Sequence, residues 1–142
     1  MGQRGQHVLI VDDNAARQRV LELIMQRTGR WVTIAENGDE AMAILKSTLH
    51  PLIVLLNGRI QYPLDGRDVS LLLTLLGNQE FTTTHAFVMT APPRSEDERV
   101  AIYEAVQNLG ADVHVSWLAL PGRFVEIVTA TNEAERYVQS RA

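Results

Sequence analysis

Apolar residues change their period repeatedly along the chain, and the changes alternate between two patterns. His7-Val8-Leu9-Ile10-Val11 is a short run rich in β-branched residues, closed by Asp12-Asp13-Asn14. A strand ending in a carboxylate pair is predicted there. From Asn14 onward Val20, Leu21, Leu23 and Ile24 mark one face of a helix that stops near Gly29. Trp31 to Ala35 reads as a strand, and Asn37-Gly38 opens a helix carrying Ala41, Met42, Ile44 and Leu45. Leu52 to Asn57, between Pro51 and Gly58, is an unbroken apolar run closed by one polar side chain. So short a run suits a strand covered on both faces, the centre of a parallel sheet.

A loop of turn formers follows, from Gly58 through Pro63, Asp65 and Gly66. Asp68 to Gly77, with Leu71, Leu72, Leu75 and Leu76, predicts a third helix, far too short to span a bilayer. His85 to Thr90 is a fourth strand. Ser95 with Glu98 forms a capping box for a helix reaching Leu109 before Gly110. Ala111 to Ser116 predicts a fifth strand, and Pro121 suits the first turn of a last helix running to about Val138. Five β-α alternations without a linker or repeat predict a doubly wound parallel sheet. The expected division is a tail over 1–6, one domain over 7–130, and a continuation of the last helix over 131–142. In such sheets the site lies beyond the carboxyl ends of the strands, where Asp12, Asp13, Asn57 and Thr90 collect.

Composition narrows the function classes. The 142 residues are 46% apolar and 21% charged, ordinary for a globular domain. A net charge of −4 supplies no basic footprint for nucleic acid, and no apolar run reaches membrane-spanning length. There are no cysteines, hence no disulfide or thiolate chemistry. The polar start Met1-Gly2-Gln3-Arg4-Gly5-Gln6 lacks the apolar core of a secretory signal, so a cytoplasmic protein is expected.

Five segments, in order and at matching spacing, resemble the receiver domain of two-component response regulators, the CheY-like family. They are Val8 to Asn14, Leu52 to Asn57, Pro63-Leu64-Asp65-Gly66, Val88-Met89-Thr90-Ala91 and Gly110-Ala111-Asp112. The resemblance spans about His7 to Val128 and implies the strand order 2-1-3-4-5. It implies that an acidic pair, here Asp12 and Asp13, binds Mg²⁺ with an aspartate ending the third strand. That aspartate accepts a phosphoryl group, held by a hydroxyl (Thr90 by position) and a lysine after the fifth strand. An aromatic residue in the fifth strand swings with the hydroxyl, and His114 stands at its place. The implied partner is a signalling protein, a histidine kinase or a downstream effector. It would be met through the last two helices and strand, with a homodimer as a further option.

Two positions break the pattern. Asn57 stands at the phosphoacceptor position, and Trp117, followed by Leu118, stands at that of the lysine. An acyl phosphate needs an ionised carboxylate, which an amide is not, and phosphoryl charge without a cation loses its electrostatic partner. Phosphoryl transfer at Asn57 is therefore not expected, and Mg²⁺ binding is expected to be weak at best. The two changes leave the pocket's formal charge unaltered, which suggests coupled drift; Arg59 in the same loop is a candidate cation. Simpler readings stand beside these. Asp12-Asp13 can serve the following helix as an N-terminal charge. His114 can be an inert half-buried residue, and Trp117-Leu118 a plug over the pocket, favoured over a partner anchor. Asn57-Gly58 also matches a hairpin turn and a deamidation-prone pair. Two other functions compete with a non-phosphorylated signalling module. One is a flavodoxin-like binder of a small molecule or nucleotide, weakened by the lack of a Gly-rich loop after Val11. The other is a receiver phosphorylated at Asp13 or Asp65.

Overall fold

The computed structural model describes residues 6–63, 69–118 and 123–141. The strands are β1 (His7–Val11), β2 (Trp31–Ala35), β3 (Ile53–Asn57), β4 (Ala86–Ala91) and β5 (Val115–Trp117). All pair in parallel, in the order β2-β1-β3-β4-β5. The helices are α1 (Ala15–Arg27), α2 (Gly38–Ser47), α3 (Leu71–Leu76), α4 (Gln79–Thr84), α5 (Glu96–Leu109) and α6 (Phe124–Ser140). The doubly wound sheet read from the sequence is present.

Strand alternation decides the layers. Leu9, Val11, Val54, Leu56, Phe87 and Met89 face one way and pack with Ala41, Met42, Leu45, Leu72 and Ile102 of the helices α2, α3 and α5. Val8, Ile10, Ile53, Leu55 and Val88 face the other way, onto Leu21 and Met25 of α1 and Ile127, Ala134 and Val138 of α6. Every residue of β3 is buried, as befits a strand with helices on both faces. No helix among the described residues is long and apolar enough to cross a membrane.

Local chemistry sets the element ends. Asn14 and Asn37 accept from the Arg17 and Glu40 amides and cap α1 and α2. Ser95 accepts from the Glu98 amide at 3.2 Å to open α5. Gly29 closes α1 in the left-handed region, φ +79.

The structure differs from the sequence pattern in five places. The α1 stripe is Leu21 and Met25, four residues apart; Val20 and Leu23 flank it and are exposed. The single helix expected over 68–77 is shorter, and Asn78 caps a second one, α4, by accepting from the Glu80 and Phe81 amides. The fifth strand starts at Val115, because Gly110 at φ +57 turns the chain into a 3-10 turn, Gly110–Asp112. α6 continues to Ser140, just past the expected end near Val138, and buries Thr131, Ala134 and Val138. It begins at Phe124, where the Glu126 carboxylate accepts from the Arg123 amide at 3.1 Å. Pro121, Asp65, Gly66 and Asp68 lie outside the described residues.

Candidate functional site at the carboxyl edge of the sheet

Asp12 follows the last residue of β1 and is 1% exposed. Its carboxylate accepts three hydrogen bonds. Arg17, in the first turns of α1, donates Nε to Oδ2 at 2.9 Å and Nη2 to Oδ1 at 3.1 Å. The Asn14 amide also donates to Oδ1, at 2.8 Å, and the Gln18 side-chain amide donates to the Asp12 carbonyl. This two-pronged guanidinium–carboxylate pairing is the strong form of the interaction. The hydrogen bond to Asp12 pushes the Arg17 pKa above its ordinary value. Asp13 points outward, its side chain 71% exposed, with Oδ1 at 3.8 Å from Arg17 Nη2.

Asn57 ends β3, buried at the neighbouring strand end. Its Oδ1 accepts from the Arg59 amide at 2.9 Å, and its carbonyl accepts from the Ile60 amide at 3.1 Å. The chain thus turns away from the sheet, and β3 and β4 are parallel, so Asn57-Gly58 is no hairpin. The Gly58 amide, which would attack Asn57 in deamidation, is bonded to the Ala91 carbonyl at 3.0 Å. The fold therefore disfavours that reaction. Gly58 is needed for closeness: a Cβ there would lie 2.4 Å from the Ala91 oxygen and 2.8 Å from the Pro92 carbonyl carbon. Gly58→Ala should lower stability by about 1–3 kcal/mol through overpacking against backbone. Urea melts check this, and an unchanged midpoint would contradict it.

Thr90 is buried near the end of β4, but it is not paired with Asn57. The register shifts after Leu56–Met89, and Asn57 meets Ala91. Arg59 is exposed and lines a cleft of about 210 Å³ with Asp13, Glu36, Asn37 and Gly38. The cation that meets Asp12 is Arg17, while Arg59, the candidate cation read from the sequence, lines the cleft beside Asp13.

Trp117 is 48% exposed, which corrects the expected pocket plug. Leu118 parts from it: its amide donates to the Met89 carbonyl at 2.7 Å, and its side chain enters the α1–α6 core. His114 precedes β5 instead of lying within it. Its ring is 5.5 Å from that of Tyr137 on α6, and burial holds its pKa below the ordinary imidazole value against a smaller opposing pull from Glu133. Its Nε2 is buried without a hydrogen-bond partner among the described residues.

The donors present do not suit the divalent metal implied by the receiver pattern. Mg²⁺ demands a near-octahedral oxygen shell at about 2.0–2.1 Å. Asp12 has three of its lone-pair positions taken by nitrogen donors, and the Asn57 side-chain oxygen is held by a backbone amide. Among the described residues, no group of three or more His, Cys, Asp or Glu side chains is placed to hold a metal ion. Arg17 is the functional residue the sequence reading missed. Its signal was the acid–base spacing from Asp13 to Arg17, four residues apart on a helix start.

The architecture and strand order define a CheY-like receiver fold. The chain is similar to a CheY-like response regulator receiver domain protein from Methanospirillum hungatei JF-1. That match has a TM-score of 0.71 at 15% identity, over 96% of this chain and 98% of the other. It is also similar to the signal receiver domain of an HD domain-containing protein from Pseudomonas fluorescens Pf-5, TM-score 0.68 at 16% identity, covering 97% and 99%. A response regulator receiver protein from Pseudomonas putida aligns with TM-score 0.66 at 21% identity, covering 94% and 99%. No family model matches the sequence, and no curated protein matches it. At these identities the likeness is one of fold.

Proposed function

We infer that the protein is a receiver-type module of two-component signalling that works through protein–protein contacts, without phosphoryl transfer at the end of β3. The observation that carries the reading is Asn57. It stands where a receiver of this strand order keeps its acceptor carboxylate, and its amide oxygen accepts from the Arg59 amide. A buried amide offers no carboxylate oxygen to attack a phosphoryl donor. The contact surface lies on the β5 edge of the sheet. Val100 and Tyr103 of α5, Trp117 of β5, and Phe124 and Val125 of α6 are large apolar side chains left exposed on neighbouring elements. Aromatic side chains in such positions carry much of the energy of protein interfaces. A histidine kinase or a downstream effector is the partner class that suits the receiver fold.

Affinity capture from the native cell tests the proposal, run with and without acetyl phosphate and Mg²⁺. The expected outcome is recovery of a signalling protein in equal yield under both conditions, with no phosphoryl group gained in the intact mass. Trp117→Ser should reduce the yield several-fold, as removal of an interface anchor does. Recovery that depends on acetyl phosphate, with a mass gain mapped to Asp13 or Asp65, would replace the proposal with phosphorylation at another aspartate.

A further inference from the structure

We propose that Arg17 is the resident cation of the carboxyl-edge pocket, occupying by its guanidinium the place from which a divalent metal would contact Asp12. The proposal rests on the receiver reading only for where a metal would be sought; the geometry is this chain's own. Asp12 is a buried carboxylate, and a buried carboxylate must be paired. Arg17 supplies that pairing with two parallel donors, at 2.9 and 3.1 Å, from a side chain anchored in the first turn of α1. The Asn14 amide takes a further lone pair, and Asn14 also caps the helix that carries Arg17. The acid, the cap and the cation therefore form one closed unit.

Competition follows from charge and space together. A metal approaching the buried Asp12 would meet a positive charge already paired with the same carboxylate oxygens, and like charges a few ångströms apart repel. Arg17 would have to leave before either oxygen became a ligand. Asp13, mostly solvated and 3.8 Å from the same guanidinium, is a poor substitute. Arginine suits this role better than lysine, because its fork matches both carboxylate oxygens and stays charged at every ordinary pH. Asp12 is thus neutralised from within, and its conformation is uncoupled from the supply of Mg²⁺.

The test uses the full chain with Mn²⁺ as the probe, read by electron paramagnetic resonance, and Mg²⁺ as competitor. Mn²⁺ favours the same hard oxygen donors. The wild-type protein should show no saturable site at Asp12. Arg17→Gln keeps a neutral donor and removes the charge; it should bind Mn²⁺ at least about tenfold more tightly, and Mg²⁺ should displace it. Adding Asp12→Asn should abolish the gain. Arg17→Ala is the second variant, and thermal melts with and without Mg²⁺ report whether each protein is folded. Wild-type binding below about 1 mM that Asp12→Asn removes would overturn the proposal, as would a folded Arg17→Gln that gains nothing. Neither result bears on partner capture, so the two proposals fail separately.

Discussion

Arg30→Ala is expected to remove about 3–5 kcal/mol of stability, the range for breaking a buried ion pair from one side. Arg30 follows Gly29 at the end of α1, and its side chain is 4% exposed. Nη1 donates to Thr28 Oγ1 at 2.9 Å, Nη2 to Asn132 Oδ1 at 2.8 Å, and Nε to Glu135 Oε1 at 3.3 Å. Glu135 also accepts from the Gln6 amide, at 3.3 Å. One guanidinium thus ties the α1–β2 turn to α6, with the start of β1 joined through the shared carboxylate. Truncation to alanine would leave Glu135 and Asn132 without the guanidinium they share. Glu135→Gln should cost less, because Glu135 is partly solvated and Arg30 keeps its other two partners. The double variant should be less destabilised than the sum of the single ones, since both act on one interaction. Urea unfolding at constant m-value is the measurement. A loss below about 1 kcal/mol for Arg30→Ala would place this pair among the weak surface contacts.

What the sequence disclosed and what it hid divide along a physical line. Strands buried on both faces are continuous apolar runs, so β1, β3 and β4 were legible, and with them the topology and the position of Asn57. Helix starts with a side-chain cap, at Asn37 and Ser95, were legible for the same local reason. The edge strand β5 has only three residues and one covered side, so its pattern could not fix its limits. His114 and Trp117 were misplaced as a result. Interactions between distant segments left no local trace. Arg30 reads as a turn residue until its partners arrive from α6, roughly a hundred residues later. Arg17 was closer to view, yet an arginine on a helix start is usually solvated, and only the burial of Asp12 turns it inward. That reversal also alters the charge account: with Arg17 counted, the pocket is less negative than the sequence positions alone suggest.

His85 should make the fold acid-labile between about pH 6.5 and pH 4, with a loss of about 3 kcal/mol over that interval. The residue caps α4 just before β4, and it is 2% exposed. Its Nδ1 accepts from the Leu52 amide at 2.9 Å, the donor just ahead of β3. Accepting there requires an unprotonated Nδ1, so the folded protein holds the ring neutral. Burial, with a smaller contribution from the charge of His50, lowers the pKa from 6.5 to about 4. The sign follows from proton counting. Above pH 6.5 the ring is neutral in both states, and its contribution to stability is complete. Below that value the unfolded chain takes up a proton that the folded chain refuses, and stability falls with pH. Below about pH 4 both states are protonated and the loss levels off. His7, lowered by burial and by His50, and His114, lowered by burial, act in the same direction and steepen the decline. His85→Asn keeps an acceptor oxygen for the Leu52 amide without a titrating ring. Its stability at pH 7.5 should fall modestly, and its urea midpoint should then depend less on pH between 6.5 and 4 than that of the wild type. Parallel profiles for the two proteins would show that His85 is not the group that titrates, and would assign the acid lability to His7 and His114.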